Sequence, residues 1–316
     1  MGLPDIHKVM LPYHLGKIKS TQILTKGIEN LNIRIDTDQG KYVFRIYQNP
    51  AVRTKEYITF ELELLQFLAK KRLPVPKVMP TKKGEVLVKV GGYQGCLFTF
   101  IDGKDTASGK AWQAEQVGSF LGKLHKTTKS FNSEYAKHRR IINPTETRRL
   151  LTERIKASQA PSLAEKLVSF QTHLPPSLPK DLPEGCVHVD LHDESALFRD
   201  KRLVGVLDWD DAFYGPLLFD FPVPLTWYCV WKGRIDFHLT KALLDGYEKH
   251  RKITEKEKKM LWPFCFLVGL WYVSYMLDSR FDHKKTEVDV SIRQNIAFLE
   301  ELFRIGEREF YEAMFR

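Results

Sequence analysis

Apolar positions alternate with polar ones through the first hundred residues and recur at helical spacing through the rest. Residues 23–35 read as two strands around a turn at Gly27. KYVFRIY at 41–47 reads as a further strand, rich in β-branched and aromatic residues. Residues 56–68 then carry Phe60, Leu64, Leu65, Phe67 and Leu68 near a helical period. Leu73-Pro74-Val75-Pro76 ends that helix, because proline cannot continue it. Residues 85–90 and 96–101 form another predicted strand pair around Gly91-Gly92, closed by Asp102-Gly103.

Beyond that point Val117, Phe120, Leu121 and Leu124 mark the buried face of a helix, and helical pattern dominates to residue 170. Prolines 175, 176, 179 and 183 make a loop. Short strands follow within 186–198 and 203–208, with a turn at Gly215-Pro216, and helices run to Arg316. The order predicts an α+β protein of two lobes, a β-rich one over 1–102 and a larger, mainly helical one over 103–316.

Composition narrows the function classes. The 316 residues are 43% hydrophobic, enough for a large core, and carry a formal net charge of +10. The basic residues fall in short clusters interleaved with acids, which reads as a solvated basic face. No nucleic-acid-binding motif accompanies them. Cys96, Cys186, Cys229 and Cys265 lie far apart and have neither zinc-ligand nor disulfide spacing. The first ten residues lack a signal peptide's apolar stretch, and Ile6 stands where a myristoylation signal needs Ser or Thr. The uncharged run 261–277 contains Pro263 and Gly269 and is shorter than the ~20 residues of a membrane span, so a buried core helix is expected. A cytoplasmic protein follows, without membrane or nucleic-acid partner.

The chemistry concentrates in HVDLHDESALFRDKRLVGVLDWDDAFYGPLLFD at 188–220. Two apolar strands are flanked by carboxylates at Asp190 and Asp208, and a hairpin brings its two ends together. Phosphoryl transfer needs this grouping: one carboxylate to orient and deprotonate a hydroxyl, another to hold Mg²⁺ against the ATP phosphates. Either acid alone would pass as an ordinary loop residue. The ordered set His188, Asp190, Asp208 and Asp220 points to catalysis.

This segment resembles the catalytic region of the aminoglycoside phosphotransferase and homoserine kinase superfamily, distant relatives of protein kinases. The resemblance implies a protein-kinase-like fold, ATP and Mg²⁺ as cofactors, and a small-molecule hydroxyl as acceptor. It implies Asp190 as the catalytic base, His188 as a brace of its loop, Asp208 as the metal ligand and Asp220 as a structural carboxylate. The chain departs from the pattern at three places: Val189 where glycine is usual, Asp193 at a position often held by proline, and Ser195 where asparagine supplies a second metal contact. A hydroxyl is the weaker ligand there, so Ser195 is expected to reach the metal only weakly or through water, with Glu194 or Asp210 compensating.

The resemblance extends over most of the chain. Gly27, Asn30 and Asn32 match a Gly-x-Glu-Asn-x-Asn turn of type II homoserine kinases, implying contacts to phosphate. Arg45 stands where kinase-like folds place a phosphate-binding lysine, and Glu61 matches the acid that pairs with it. Thr99, Phe100 and Ile101 resemble the hinge whose main chain binds adenine. GSFLGKLH at 118–125 and Gly246-Tyr247-Glu248 are similar to helices of the same family, with His125 a packed structural residue. Homoserine is the acceptor of the nearest family. An aminoglycoside acceptor, or a pseudokinase-like nucleotide-binding module in view of Ser195, are the alternatives. A nucleic-acid-binding role rests on charge alone and ranks last. Trp209, Tyr214, Trp227, Tyr228 and Trp231 offer a pocket lining, although residues at their spacing are more often core.

Overall fold

A computed structural model describes residues 5–25, 30–157, 161–278 and 286–316. The N-terminal region opens with a short helix, α1 (Ile6–Met10), followed by β1 (Ile18–Leu24), β2 (Asn30–Thr37), β3 (Lys41–Tyr47), α2 (Lys55–Lys70), β4 (Val78–Met79), β5 (Val88–Val90) and β6 (Tyr93–Thr99). The strands form one antiparallel sheet in the order β1-β2-β3-β6-β4, with β5 on β6. The predicted strand at 85–90 shrinks to three residues, because Gly84 and the Lys82-Lys83 pair before it belong to a turn held by Thr81.

Alternation along KYVFRIY decides which side chain goes where. Tyr42, Phe44 and Ile46 point to the outer face, where they join Ile33, Ile35, Leu97 and the α1 residues Ile6 and Met10 in one core. Arg45 therefore points to the inner face. The register sets Asn32, Arg45 and Cys96 side by side across three strands. Helix α2 lies on that inner side. Thr54 caps it, accepting from the Tyr57 N–H at 3.3 Å. Its buried face delivers Glu61 beneath the sheet and joins the second, larger core, which continues through the rest of the chain.

The C-terminal part is mainly helical. It comprises α3 (Ala111–Thr128), α4 (Pro144–Ala157), α5 (Pro161–Phe170), β7 (Glu184–Val187), β8 (Ala196–Arg199), β9 (Arg202–Val206), β10 (Phe213–Pro216), α6 (Pro222–Tyr228), β11 (Val230–Trp231), β12 (Arg234–Ile235), α7 (Phe237–Glu248), α8 (Glu255–Met276) and α9 (Thr286–Phe315). The run at 261–277 is the body of α8 and is buried. Among the described residues no helix is long and apolar enough to cross a membrane. The linker after β6 pairs Lys104 with Phe198 of β8 through two main-chain bonds of 2.8 and 2.9 Å, fastening the sheet's exit to the catalytic hairpin.

Helices α3 and α7 touch backbone to backbone because glycine stands at each crossing. A β-carbon on Gly118 would fall 1.9 Å from the Leu243 carbonyl, and one on Gly246 would fall 2.0 Å from that of Glu115. Gly246→Ala is therefore expected to push the helices apart and cost about 1–3 kcal/mol, read as a fall in Tm of several degrees. An unchanged melting curve would contradict this contact.

Candidate active site

The sheet, the β8–β9 hairpin and the C-terminal half of α8 enclose a cleft of about 750 Å³. Both carboxylates singled out in the sequence, Asp190 and Asp208, face into it, as do Asn30, Asn32, Arg45, Glu61 and the hinge residues Thr99, Phe100 and Ile101. Gly27 lies outside the described residues.

The loop before β8 is fixed from beneath by one buried carboxylate. Asp220 accepts from the main-chain N–H of His188 at 3.0 Å and of Val189 at 2.6 Å. It also accepts from His125 Nε2 at 2.9 Å, and His125 Nδ1 accepts from the Tyr247 hydroxyl at 2.8 Å. Arg251 donates to that hydroxyl and pairs with buried Glu257. The two family-like helices thus meet the catalytic loop through a polar chain of five side chains.

His188 is buried outside the cleft. Its Nε2–H donates to the Leu207 carbonyl at 2.7 Å, and its Nδ1 accepts the Asp190 N–H at 3.2 Å. Those two bonds tie the ends of the hairpin together, and the ring packs edge-on against Trp209. Burial lowers the imidazole's proton affinity, which suits the neutral tautomer these bonds require.

Val189 has φ of 60° and Asp208 has φ of 59°, both in the left-handed region. For a β-branched residue this costs on the order of 1–3 kcal/mol. The Val189 side chain is buried, which returns an amount of about the same size.

Asp190 accepts a hydrogen bond from the Tyr272 hydroxyl, which also lies 2.9 Å from the Val189 carbonyl. His192 Nε2 stands 3.9 Å from the other carboxylate oxygen. Burial raises the Asp190 carboxyl to about 7, opposed by His192 and by the Tyr272 bond. Asp190 must be ionised to accept a proton, so kcat/KM is expected to fall as pH drops below about 7. Tyr272→Phe removes a bond that favours the ionised form and should move this acid limb to higher pH. A limb that stays in place would show that Tyr272 does not act on Asp190.

Asp208 is 40% exposed and meets Arg45 Nη2 at 3.0 Å. Arg45 also contacts Glu61 Oε1 at 3.4 Å and Asn32 Oδ1 at 3.1 Å. Burial raises Glu61 to about 7 against the pull of Arg45, and Tyr47 donates to its other oxygen at 3.1 Å. Asp210 is held by Arg53 at 3.1 Å and by the Asn30 amide at 2.8 Å. Although burial opposes it, these partners and Arg45 keep its carboxyl below the usual range.

Ser195 stands differently from the expected metal contact. It is fully buried, does not line the cleft, and donates its hydroxyl between the carbonyls of Asp190 and His192, each at 2.9 Å. A short side chain at this point turns back into its own loop. Asp210 is likewise committed to Arg53 and Asn30, whereas Glu194 lines the cleft beside Asp190. At the hinge, the N–H of Thr99 donates to Lys77 and that of Phe100 to Lys41, at 2.9 and 3.0 Å. Among the described residues only the Ile101 N–H of the three has no protein acceptor.

Of these five aromatics, Tyr228 is buried, Trp209 is buried while still lining the cleft, and Trp231 is 59% exposed. Trp227 lines the cleft, as do Trp271, Tyr272 and Tyr275. The α8 residues were hidden within an apolar run. A tyrosine hydroxyl in a buried helix needs a partner, and that is the signal that could have found Tyr272.

A β-sheet region joined to a helical part, with a hairpin that presents two carboxylates to the cleft between them, defines a protein-kinase-like phosphotransferase. Residues 20–257 match the model of the phosphotransferase enzyme family, and the chain belongs to that family. It is 29% identical to a homoserine kinase of Zymomonas mobilis, over 88% of this chain and 85% of the relative. It is 30% identical to one of Chelativorans sp., over 79% and 77%. Among solved structures it resembles an amicoumacin kinase in complex with AMP-PNP and Ca²⁺, at TM-score 0.68 and 16% identity over 94% of this chain and 92% of that one. It also resembles a microcompartment-associated aminopropanol kinase, at TM-score 0.66 and 17% identity over 98% of each. The chain is an ATP-dependent small-molecule kinase that acts on a hydroxyl, in a family that works with a divalent metal.

Proposed function

We propose that this chain phosphorylates the side-chain hydroxyl of homoserine with ATP and Mg²⁺, in the cytoplasm. The observation that carries the reading is the hairpin that places Asp190 and Asp208 in one cleft beside Arg45. The named activity of the relatives supplies the acceptor.

The oxygens of Asp208 and Glu194 fit Mg²⁺. They are hard ligands facing the cleft, and among the described residues no group of three or more ligand side chains closes a cage around a metal. Mg²⁺ favours such a site, because it keeps waters and takes phosphate oxygens. Bound there, it would offset charge on the phosphates. The remaining work falls to side chains. Asp190 accepts the hydroxyl proton as the acceptor oxygen bonds to the γ-phosphorus. The bond from that phosphorus to the bridging oxygen breaks, and ADP leaves with the electron pair. Arg45 leaves Asp208 in part to meet phosphate, as its fork geometry suits. Asn32 orients it and Glu61 holds its other edge. The Ile101 N–H receives the adenine edge, with Val43, Leu197 and Leu207 on its faces. Residues 1–102 are the nucleotide-binding lobe in this reading and 103–316 the catalytic and acceptor-binding lobe. Ser195 braces the Asp190 loop.

The test is a panel of small hydroxyl compounds, including L-homoserine, choline, ethanolamine and aminoglycosides, scored for acceptor-dependent ADP release with Mg²⁺. Homoserine should lead the panel. Nucleotide binding without turnover of any acceptor would overturn the reading in favour of a binding module.

A further inference from the structure

Between α3 and α4 the chain runs along α2 and is pinned to it as it passes. The Phe131 ring packs edge-on against Phe60 at 5.9 Å and tilted against Phe67 at 5.2 Å. The Ser133 hydroxyl donates to Glu63 at 2.6 Å. A short 3-10 turn, Glu134–His138, then delivers Arg139 to the start of the helix.

Arg139 is 5% exposed, and its guanidinium lies 3.7 Å from the centre of the Tyr57 ring. Its Nη1 donates to the Tyr57 carbonyl at 2.9 Å, its Nη2 to the Asp210 carbonyl at 2.6 Å and its Nε to the Ala212 carbonyl at 2.6 Å. These carbonyls belong to two different parts of the site. In an α-helix the carbonyl of residue 57 accepts from the N–H of residue 61, so Arg139 grips the turn that carries Glu61. Asp210 and Ala212 lie in the connection from β9 to β10 that also holds Asp208, and this connection closes through the Ala212 N–H on the Trp209 carbonyl at 3.1 Å.

A guanidinium buried this deeply loses its hydration, and an apolar side chain would fill the same space at lower cost. An apolar side chain cannot hold three carbonyls at fixed angles, and neither can the point charge of a lysine. The connection also needs holding. Asp208 sits at φ of 59°, a conformation that persists where its surroundings over-determine it. Arg53, one residue before the Thr54 cap of α2, donates to the same Asp210 carbonyl, so two guanidinium groups fasten it to the helix. Arg45 lies in the gap so spanned, with Glu61 at 3.4 Å and Asp208 at 3.0 Å. The width of that gap sets how far Arg45 can turn from carboxylate to phosphate.

We propose that Arg139 is a positioning residue for phosphoryl transfer: it sets the spacing between the helix that carries Glu61 and the connection that carries Asp208, and with it the alignment of Arg45 and the metal ligand on the triphosphate. The inference rests on the Mg²⁺–ATP reading of the cleft. In protein kinases the position of the helix bearing the paired acid controls activity. Here Arg139 holds that helix in place without a switch.

The test compares Arg139→Lys with Arg139→Met, both unbranched and of similar reach, each measured well below its Tm. The Mg²⁺ concentration that half-saturates ATP binding, read by calorimetry, should rise about 10-fold. With L-homoserine, kcat should fall about 10- to 100-fold while the KM for homoserine stays within about two-fold. A merely structural role would lower Tm and leave the Mg²⁺ response and kcat of the folded protein at wild-type values, and that result overturns the proposal. If homoserine is no substrate, the calorimetry decides by itself, because it needs no acceptor. Should wild-type ATP binding ignore Mg²⁺, the Mg²⁺–ATP reading fails. In that case, or if neither variant folds, hydrogen exchange on wild type decides. Residues 57–61 and 208–212 should open together with equal protection, and separate opening overturns the link.

Discussion

Asparagine in place of Asp190 is expected to cut turnover by about 10³-fold while the KM for ATP stays within about two-fold. The side chain keeps its shape and can still meet Tyr272, so the loop should hold. What is lost is an acceptor for the hydroxyl proton and the charge that orients that hydroxyl. Positioning and charge dominate phosphoryl transfer, which is why a one-atom change carries so large an effect. The measurement needs a true acceptor, since slow ATP hydrolysis reports attack by water. Turnover equal to wild type would remove Asp190 from the chemistry. The acid limb expected near pH 7 should vanish with the carboxyl.

Asp208→Asn is expected to act on a different step. It removes the exposed carboxylate nearest Arg45 and with it a hard anionic ligand for Mg²⁺. Nucleotide affinity should lose its dependence on Mg²⁺, and turnover should fall by about 10²- to 10⁴-fold, the scale of several kcal/mol of charge stabilisation. Titrating Mg²⁺ against ATP binding separates this variant from Asp190→Asn, which should bind the complex normally. Asp208→Asn with an unchanged Mg²⁺ response would move the metal site elsewhere, with Glu194 the next carboxylate to test.

Much of this was legible in the sequence, for identifiable reasons. The strand KYVFRIY alternates cleanly, so the side of the sheet that Arg45 faces follows from its apolar neighbours. The carboxylates at 190 and 208 bracket an apolar hairpin, and hairpins bring their ends together. Other features leave no mark in a string of letters. Which hinge N–H stays unpaired among the described residues depends on what Lys41 and Lys77 do with their carbonyls. Ser195 was placed by its position in the pattern, but its direction is set by a rotamer that returns to its own loop. Arg53 and Arg139 lie far from the motif in sequence and reach it only through the fold. Gly2, Gly27 and their neighbours fall outside the described residues, so the Gly-x-Glu-Asn-x-Asn turn is seen only from Asn30 onward.

Valine at position 189 does two jobs that a glycine would leave undone. It narrows the conformations open to the catalytic loop, and its side chain forms part of the wall of a small recess shared with Asp211 and Trp271. A lineage that exchanges one residue for the other therefore changes loop stiffness and the shape of that recess in a single mutational step. The two traits are genetically linked at one codon. Selection on the shape of the recess would carry a more or less rigid catalytic loop along with it.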